Sequence, residues 1–491
     1  MRTGPTGRHN LFRSKPVEAF VSETNADAED GDLSRSIGLF HLTMFGVGAT
    51  IGTGIFVVLA EAVPEAGPGV VVSFALAGIT AALTAVCYAE LASTIPVSGS
   101  SYSYTYATMG EIVAFGVAAC LLLEYGVSSA AVSVGWGQYL NALFSNLFGF
   151  RIPDAITSAP GEGGFFNLPA IVLVTLCCLL LVRGARESAT ANTIMVLIKL
   201  AVLTLFVVVG FMGFSGNNLQ PFAPFGVAGI GVAASSIFFS FIGLDAVSTA
   251  GEEVHNPRRT LPLAIVFATI IVTSFYVLVA LVAVSAQPYG QFEGQEAGLA
   301  VIMRNITGSY WPAAVLSAGA IISIFSVTLV VLYGQTRILF AMGRDGMLPE
   351  IFRRVDPRTL VPVRNTVIVG AFVGLLAGFV PRGMLIDLTS MGTLVAFTVV
   401  SIGVIVLRRT QPDLPRGFRV PLYPLTPIAS AAFCLYLISG LPYTTFLLFA
   451  VWLGVAAILY FAYSAKHSRL AGPNTEGARR GPRRVDRRPW G

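Results

Sequence analysis

Long apolar runs separated by short polar segments dominate the chain. A helix crossing a ~30 Å hydrocarbon layer needs about 20 mostly apolar residues. Runs of that kind begin near Ile37, Gly69, Ile112, Leu168, Ala189, Ile230, Leu261, Trp311, Val363, Met384, Tyr423 and Tyr443. The pattern predicts an all-α polytopic membrane protein with twelve transmembrane helices, the last two parted by the tight turn SGLPY. No fixed period of roughly 20 to 50 residues recurs, which excludes a solenoid.

Two runs are interrupted in comparable ways. The first reads IGLFHLTMFGVGATIGTGIFVVLAEAV, with Gly46, Gly48, Gly52 and Gly54 in its middle. The sixth reads AASSIFFSFIGLDAVSTAGEE, with Gly243 and Asp245 in its middle. Each glycine weakens a continuous helix by about 1 kcal/mol relative to alanine. Gly48 and Gly52 also suit a face of small residues for helix packing, and the matching interruption five runs later favours broken helices. Broken helices at corresponding places predict an inverted five-plus-five repeat. Its first half is 37–214, its second 215–409, and two extra helices occupy 410–465. Polar tails, 1–36 and 466–491, flank them.

Charge refines this layout. Of the 491 residues, 54% are hydrophobic and 12% charged, against roughly 25% charged in a soluble domain. That scarcity excludes a soluble enzyme, a disordered chain and a collagen-like fibre. With the N-terminus inside, 27 of the 31 Lys and Arg fall on the cytoplasmic side, while Arg151, Arg304 and Arg382 fall outside. The asymmetry follows the positive-inside rule and places both termini in the cytoplasm. The first 36 residues are polar and lack an apolar h-region, so insertion is expected through the first apolar run. The basic C-terminal stretch ARRGPRRVDRRPW reads either as a contact for anionic membrane lipid or as a solvated tail fixing topology. A sequence pI near 9.0 therefore needs no nucleic-acid partner. The five cysteines all lie in apolar runs and read as packing residues.

Lys199 belongs to neither compartment. It sits about ten residues into the fifth run and is the only charged residue between Glu187 and Asp245. An ammonium at that depth is costly unless partnered, so an intramembrane lysine is a functional candidate, with snorkelling or a purely structural bond as the alternative. The chain has 3 lysines beside 28 arginines; a buried lysine can release its proton and an arginine cannot. Glu124 in the third run and Asp245 in the sixth are similarly deep. Glu124 could neutralise a cationic solute, exchange protons with Lys199 or Asp245, or form an ion pair within the bundle. If the first run breaks, the N–H groups near Ile51, Gly52, Thr53 and Gly54 could receive an anionic group. Carbonyls freed in the sixth run could accept an ammonium, with Phe239 or Phe241 as a cap or as plain packing. Glu90, Glu252 and Glu253 lie near cytoplasmic helix ends and read as gate or loop contacts. No metal-ligand spacing, HExxH, P-loop or nucleophile elbow occurs, so neither a metal centre, a cofactor, an enzyme nor an ATP-driven pump is indicated.

The segments GVGATIGTGIFV, CYAELASTIPVSGSSYSYTY, FFSFIGLDAVSTAGEEVHNPRRTLP and GQTRILFAMGRDGMLP in this order resemble the amino acid-polyamine-organocation superfamily, and most closely its prokaryotic cationic amino acid transporters. The resemblance implies the five-plus-five fold, alternating access and a central site between spans 1, 3, 6 and 8. It implies that Thr50, Ile51, Gly52, Thr53 and Gly54 hold an amino acid carboxylate. Backbone around Phe239, Ser240 and Ile242 would take the amino group, with Phe239 as a gate. Lys199 would reach span 1 carbonyls and a span 8 hydroxyl, Ser323 or Ser326, while Glu124 and Asp245 match acidic positions of the family. The expected protein is a plasma-membrane secondary transporter importing an L-amino acid, cationic or broad in range, with a proton. An exchanger, a carrier of polyamines or neutral amino acids, and a non-transporting nutrient receptor are the alternatives. The oligomeric state is left open.

Overall fold

The computed structural model describes residues 13–14, 37–95, 100–183, 189–249, 254–356 and 361–468. Most of both tails, and with them the basic C-terminal stretch, lies outside these residues. So do Glu252 and Glu253. Among the described residues helices account for the regular structure, and the only β pairing is two isolated bridges.

Helices stand at all twelve predicted places. Among the described residues, nine helical segments are long and apolar enough to cross a membrane. The other three, Leu168–Val182, Val363–Phe379 and Leu425–Ser439, have 15, 17 and 15 residues. At 1.5 Å per residue these are about 22 to 26 Å long, short of a full hydrocarbon crossing.

Span 1 is Leu39–Thr50 resumed at Thr53–Val57 and Leu59–Ala66. Span 2 is Val70–Thr94, and span 3 runs from Glu111–Leu122 to Ser128–Phe148. Spans 4 and 5 are Leu168–Val182 and Ala189–Gly210. Span 6 is Gly226–Ile237, a 3-10 turn and Ala246–Thr249. Spans 7 to 10 are Pro257–Ala286, Tyr310–Arg344, Val363–Phe379 and Arg382–Thr410. Spans 11 and 12 are Leu425–Ser439 and Tyr443–Leu459.

Burial sorts the bundle. The most apolar stretches of spans 1, 3, 6, 8 and 10 are 67% to 82% buried, against 33% for span 5 and 22% for span 12. The first group forms the interior; spans 5 and 12 present Leu, Ile, Val and Phe to lipid. Span 2 packs on span 7, span 3 on span 8 and span 4 on span 9, so spans five apart in sequence are neighbours in space. Where span 1 begins and span 6 ends, Ile37 bridges Val254, and the His255 N–H donates to the Ile37 carbonyl at 3.0 Å. Arg13 reaches the Ala465 carbonyl near the end of span 12 on this terminal face.

Span 3 contains one wide π-turn, Leu123–Val127. A wide turn displaces carbonyls from the helical ladder, and hydrocarbon has no water to satisfy them. Here the Trp452 indole donates to the Ala119 carbonyl at 3.0 Å and the Gln335 amide to that of Leu122 at 3.4 Å.

At the terminal end of span 2, the fully buried Glu90 accepts Arg408 Nε at 2.8 Å and the Val420 N–H at 2.6 Å. Arg416 lies 3.4 Å from the same carboxylate, and the Arg408 guanidinium stacks 4.2 Å from the Tyr423 ring. This carboxylate pins the 411–424 connection against span 2, as its position near a helix end predicts. Removing one partner of a buried pair leaves an uncompensated charge, which costs about 3 to 5 kcal/mol. Arg408→Met should therefore lower the melting temperature of the detergent-solubilised protein markedly; an unchanged melting curve would show that Glu90 is held by its other partners alone.

Candidate functional site

The two interrupted helices break as broken helices must, by leaving helical backbone angles for two residues. In span 1, Ile51 (ψ 83°) and Gly52 (φ −117°, ψ −135°) separate the half-helices. Gly52 N–H turns back to the Thr50 carbonyl at 2.8 Å. In span 6, Ile242 is extended (ψ 144°) and Gly243 has φ +90°. A side chain at Gly243 would be strained, and its Cβ would stand 2.5 Å from the Ala49 carbonyl oxygen. A Cβ on Gly54 would stand 2.5 Å from the Ser240 Cα. The two breaks thus lie backbone to backbone, which only glycine permits at these contacts.

Tyr276 of span 7 ties them together. Its buried hydroxyl lies 2.9 Å from the Thr50 carbonyl and 2.8 Å from the Ser240 carbonyl. One proton serves two acceptors, one from each break. Phe241 packs edge-on against the same ring, with centroids 5.2 Å apart, and stacks on Phe238. Phe241 is therefore a buried packing residue behind the break. Phe239, Ser240 and Ile242 are buried at the break itself, and the Ser240 hydroxyl has no hydrogen-bond partner.

Lys199 is fully buried and donates from Nζ to the Gly48 carbonyl at 2.9 Å. Gly48 lies in the last turn before the break, where helix carbonyls lose their intrahelical partners and the dipole is negative. The ammonium is thus placed where that turn best accepts it. Thr50 spends its hydroxyl on the Gly46 carbonyl at 2.8 Å. Ser323 of span 8 points its hydroxyl at the Ile51 carbonyl over a long 3.5 Å, and the Ser326 hydroxyl is buried without a partner. The break at Ile51 is accordingly lined from spans 5, 7 and 8 together.

The carboxylates lie beside it. Glu124 sits in the π-turn, fully buried, with the Thr393 hydroxyl of span 10 beside its carboxylate. Asp245 accepts the Tyr125 hydroxyl at 3.0 Å and the Ser100 hydroxyl at 3.1 Å on one oxygen, while the other is unpartnered. Ser248 donates to the Ser100 hydroxyl at 3.3 Å. Tyr88, Ser101 and Tyr104 add three buried hydroxyls. The interior therefore holds carboxylates and hydroxyls side by side. Tyr276, Tyr125 and Ser100 escape sequence reading. The one signal for the tyrosines is a phenol inside an otherwise apolar run. Among the described residues no three of His, Cys, Asp and Glu gather to hold a metal ion.

Two facing broken helices inside a bundle of long apolar helices match the build of membrane transporters. The sequence profile of the amino acid permease family matches residues 37–464. The chain is 43% identical to the methylthioribose transporter of Bacillus subtilis and 42% identical to its branched-chain amino acid permease BcaP. Each alignment covers 94% of this chain and 99% of the relative. It is 37% identical to the vacuolar cationic amino acid transporter 4 of Arabidopsis thaliana, over 82% of this chain and 68% of that one. The chain belongs to the amino acid permease family, within the amino acid-polyamine-organocation superfamily. It is a multi-pass membrane transporter rather than an enzyme.

Two substitutions check this geometry. Tyr276→Phe removes the shared donor and leaves buried carbonyls unsatisfied, at about 1 to 3 kcal/mol; solute affinity should fall about tenfold or more with folding preserved. Gly243→Ala meets both strain and overlap, so uptake should be lost, and full activity in that variant would contradict the close approach.

Proposed function

We propose that the protein imports an L-amino acid across the plasma membrane together with a proton, by alternating access about the two breaks. The terminal face is cytoplasmic, in keeping with the basic residues gathered there. Residues 37–214 and 215–409 act as the inverted repeats, a reading supported by the side-by-side pairing of spans five apart. The solute's carboxylate meets the N–H groups that open the half-helix at Thr53 and Gly54, beside Ile51 and Gly52. Its ammonium meets carbonyls of the span 6 break around Phe239, Ser240 and Ile242, with Phe239 as the gate.

The observation that carries the coupling is the bond from Lys199 to the Gly48 carbonyl at 2.9 Å. While protonated, the ammonium holds the break of span 1 against span 5. Loss of the proton toward the cytosol removes a charge-assisted bond, worth about 1.5 to 3 kcal/mol, and loosens that half-helix. Ser323 and Ser326 supply span 8 hydroxyls as the bundle rearranges.

Glu124 supports a cationic side chain on the solute. A fully buried carboxylate with only the Thr393 hydroxyl beside it is satisfied by an ammonium or guanidinium and left costly by an aliphatic group. Asp245 is already half satisfied by Tyr125 and Ser100 and serves chiefly to position that side of the cavity. An uncharged side chain is the second reading, favoured by the branched-chain permease at 42% identity.

Both points are measurable in proteoliposomes. Lys199→Met should abolish uptake driven by an imposed pH gradient, and undiminished uptake with unchanged pH dependence would sink the coupling. Glu124→Gln should lower arginine uptake relative to alanine about tenfold; a constant ratio would favour the uncharged reading.

A further inference from the structure

Arg382 opens span 10 on the face opposite the termini, the outer face on the reading above. Its side chain is only 10% exposed, so a guanidinium at this place must be matched by acceptors. Nη2 and Nε donate to Glu61 at 2.8 and 3.3 Å. Nη1 donates to the Gln138 amide oxygen at 2.7 Å, and the main-chain N–H of Arg382 donates to Glu162 at 3.2 Å.

These acceptors come from separate elements. Glu61 lies on the half-helix of span 1 beyond the break, Gln138 on span 3, and Glu162 in the connection between spans 3 and 4. Tyr139, next to Gln138, donates to the Phe56 carbonyl of the same half-helix at 2.9 Å. One guanidinium therefore fastens the outer half of span 1, through two neighbouring bonds, to span 3 and to span 10. Gln138 also lines a cavity of about 220 Å³ with Asn141, Asn146, Arg151 and Arg304. Glu296 lines it too and pairs with Arg151 at 2.6 Å. Solute or water in that cavity touches a partner of the guanidinium directly.

The terminal face has a different contact, Tyr102 to Asp345 at 2.9 Å. Both entrances are thus fastened at once, each between the first five spans and the second five. A solute reaching Gly54 and Ser240 from outside has to displace the half-helix that Glu61 anchors.

We propose that Arg382 is the latch of the outer entrance, whose release from Glu61 and Gln138 frees the half-helix Thr53–Ala66 and opens the central site to the outer solution. The latch holds by charge-assisted hydrogen bonds between a largely buried Arg382 and a Glu61 side chain that is 37% exposed, and it depends on both charges being present. Lysine, a point charge without the planar fork, cannot serve Glu61 and Gln138 together.

The test uses full-length protein in sealed membranes, with a reporter cysteine at Ser240→Cys and a membrane-impermeant maleimide added to one side at a time. Arg382→Gln and Glu61→Gln should each speed labelling from the outer side at least fivefold. The charge swap Glu61→Arg with Arg382→Glu should return it toward the parent rate, while Arg382→Lys should fall between. Labelling of Arg382→Gln and Glu61→Gln at the parent rate, in protein that elutes as folded, would overturn the latch. The readout needs neither proton coupling nor a known solute, and a reversed orientation would show the acceleration from the other side. Failure of the transport reading and failure of the latch are therefore separate results.

Discussion

A peptide group inside hydrocarbon has no water to bond, so any interruption of a transmembrane helix must find partners within the protein. Two interruptions, at Ile51–Gly52 and Ile242–Gly243, impose that demand here, and much of the bundle answers it. Tyr276 bridges one carbonyl from each break, and Lys199 takes a third at Gly48. Spans 1 and 6 can be broken only because spans 2, 3, 7, 8 and 10 keep lipid away from them. The lipid-facing positions fall to continuous helices such as spans 5 and 12.

The same constraint explains why the interior is chemically unfinished. Soluble cores satisfy buried polar atoms almost completely, whereas here Glu124, Asp245, Ser240, Ser326, Tyr88 and Tyr104 are all buried and the hydroxyls of Ser240 and Ser326 are left without partners. These atoms come from spans 2, 3, 6 and 8 and the helix Ser100–Thr108, which surround the breaks.

Closure at the two faces is built from unlike materials. The terminal face uses a phenol on a carboxylate, Tyr102 on Asp345. The opposite face uses a guanidinium divided between Glu61 and Gln138.

Periodicity and scarcity made much of this legible in the chain alone. Apolar runs located the helices because lipid demands unbroken apolar length. Paired glycine interruptions located the breaks because only glycine tolerates φ +90° and contacts of 2.5 Å. Lys199 stood out because charge is rare at that depth. The lengths of spans 4, 9 and 11, the π-turn that carries Glu124, the Tyr276 bridge and the grip of Arg382 on Glu61 were not legible. Each depends on which helices face one another: Tyr276 lies 226 residues from Thr50, and Arg382 lies 321 from Glu61. Composition along one helix states what that helix must bury, but the partner of a buried polar atom is chosen by packing between helices, and no local pattern encodes it.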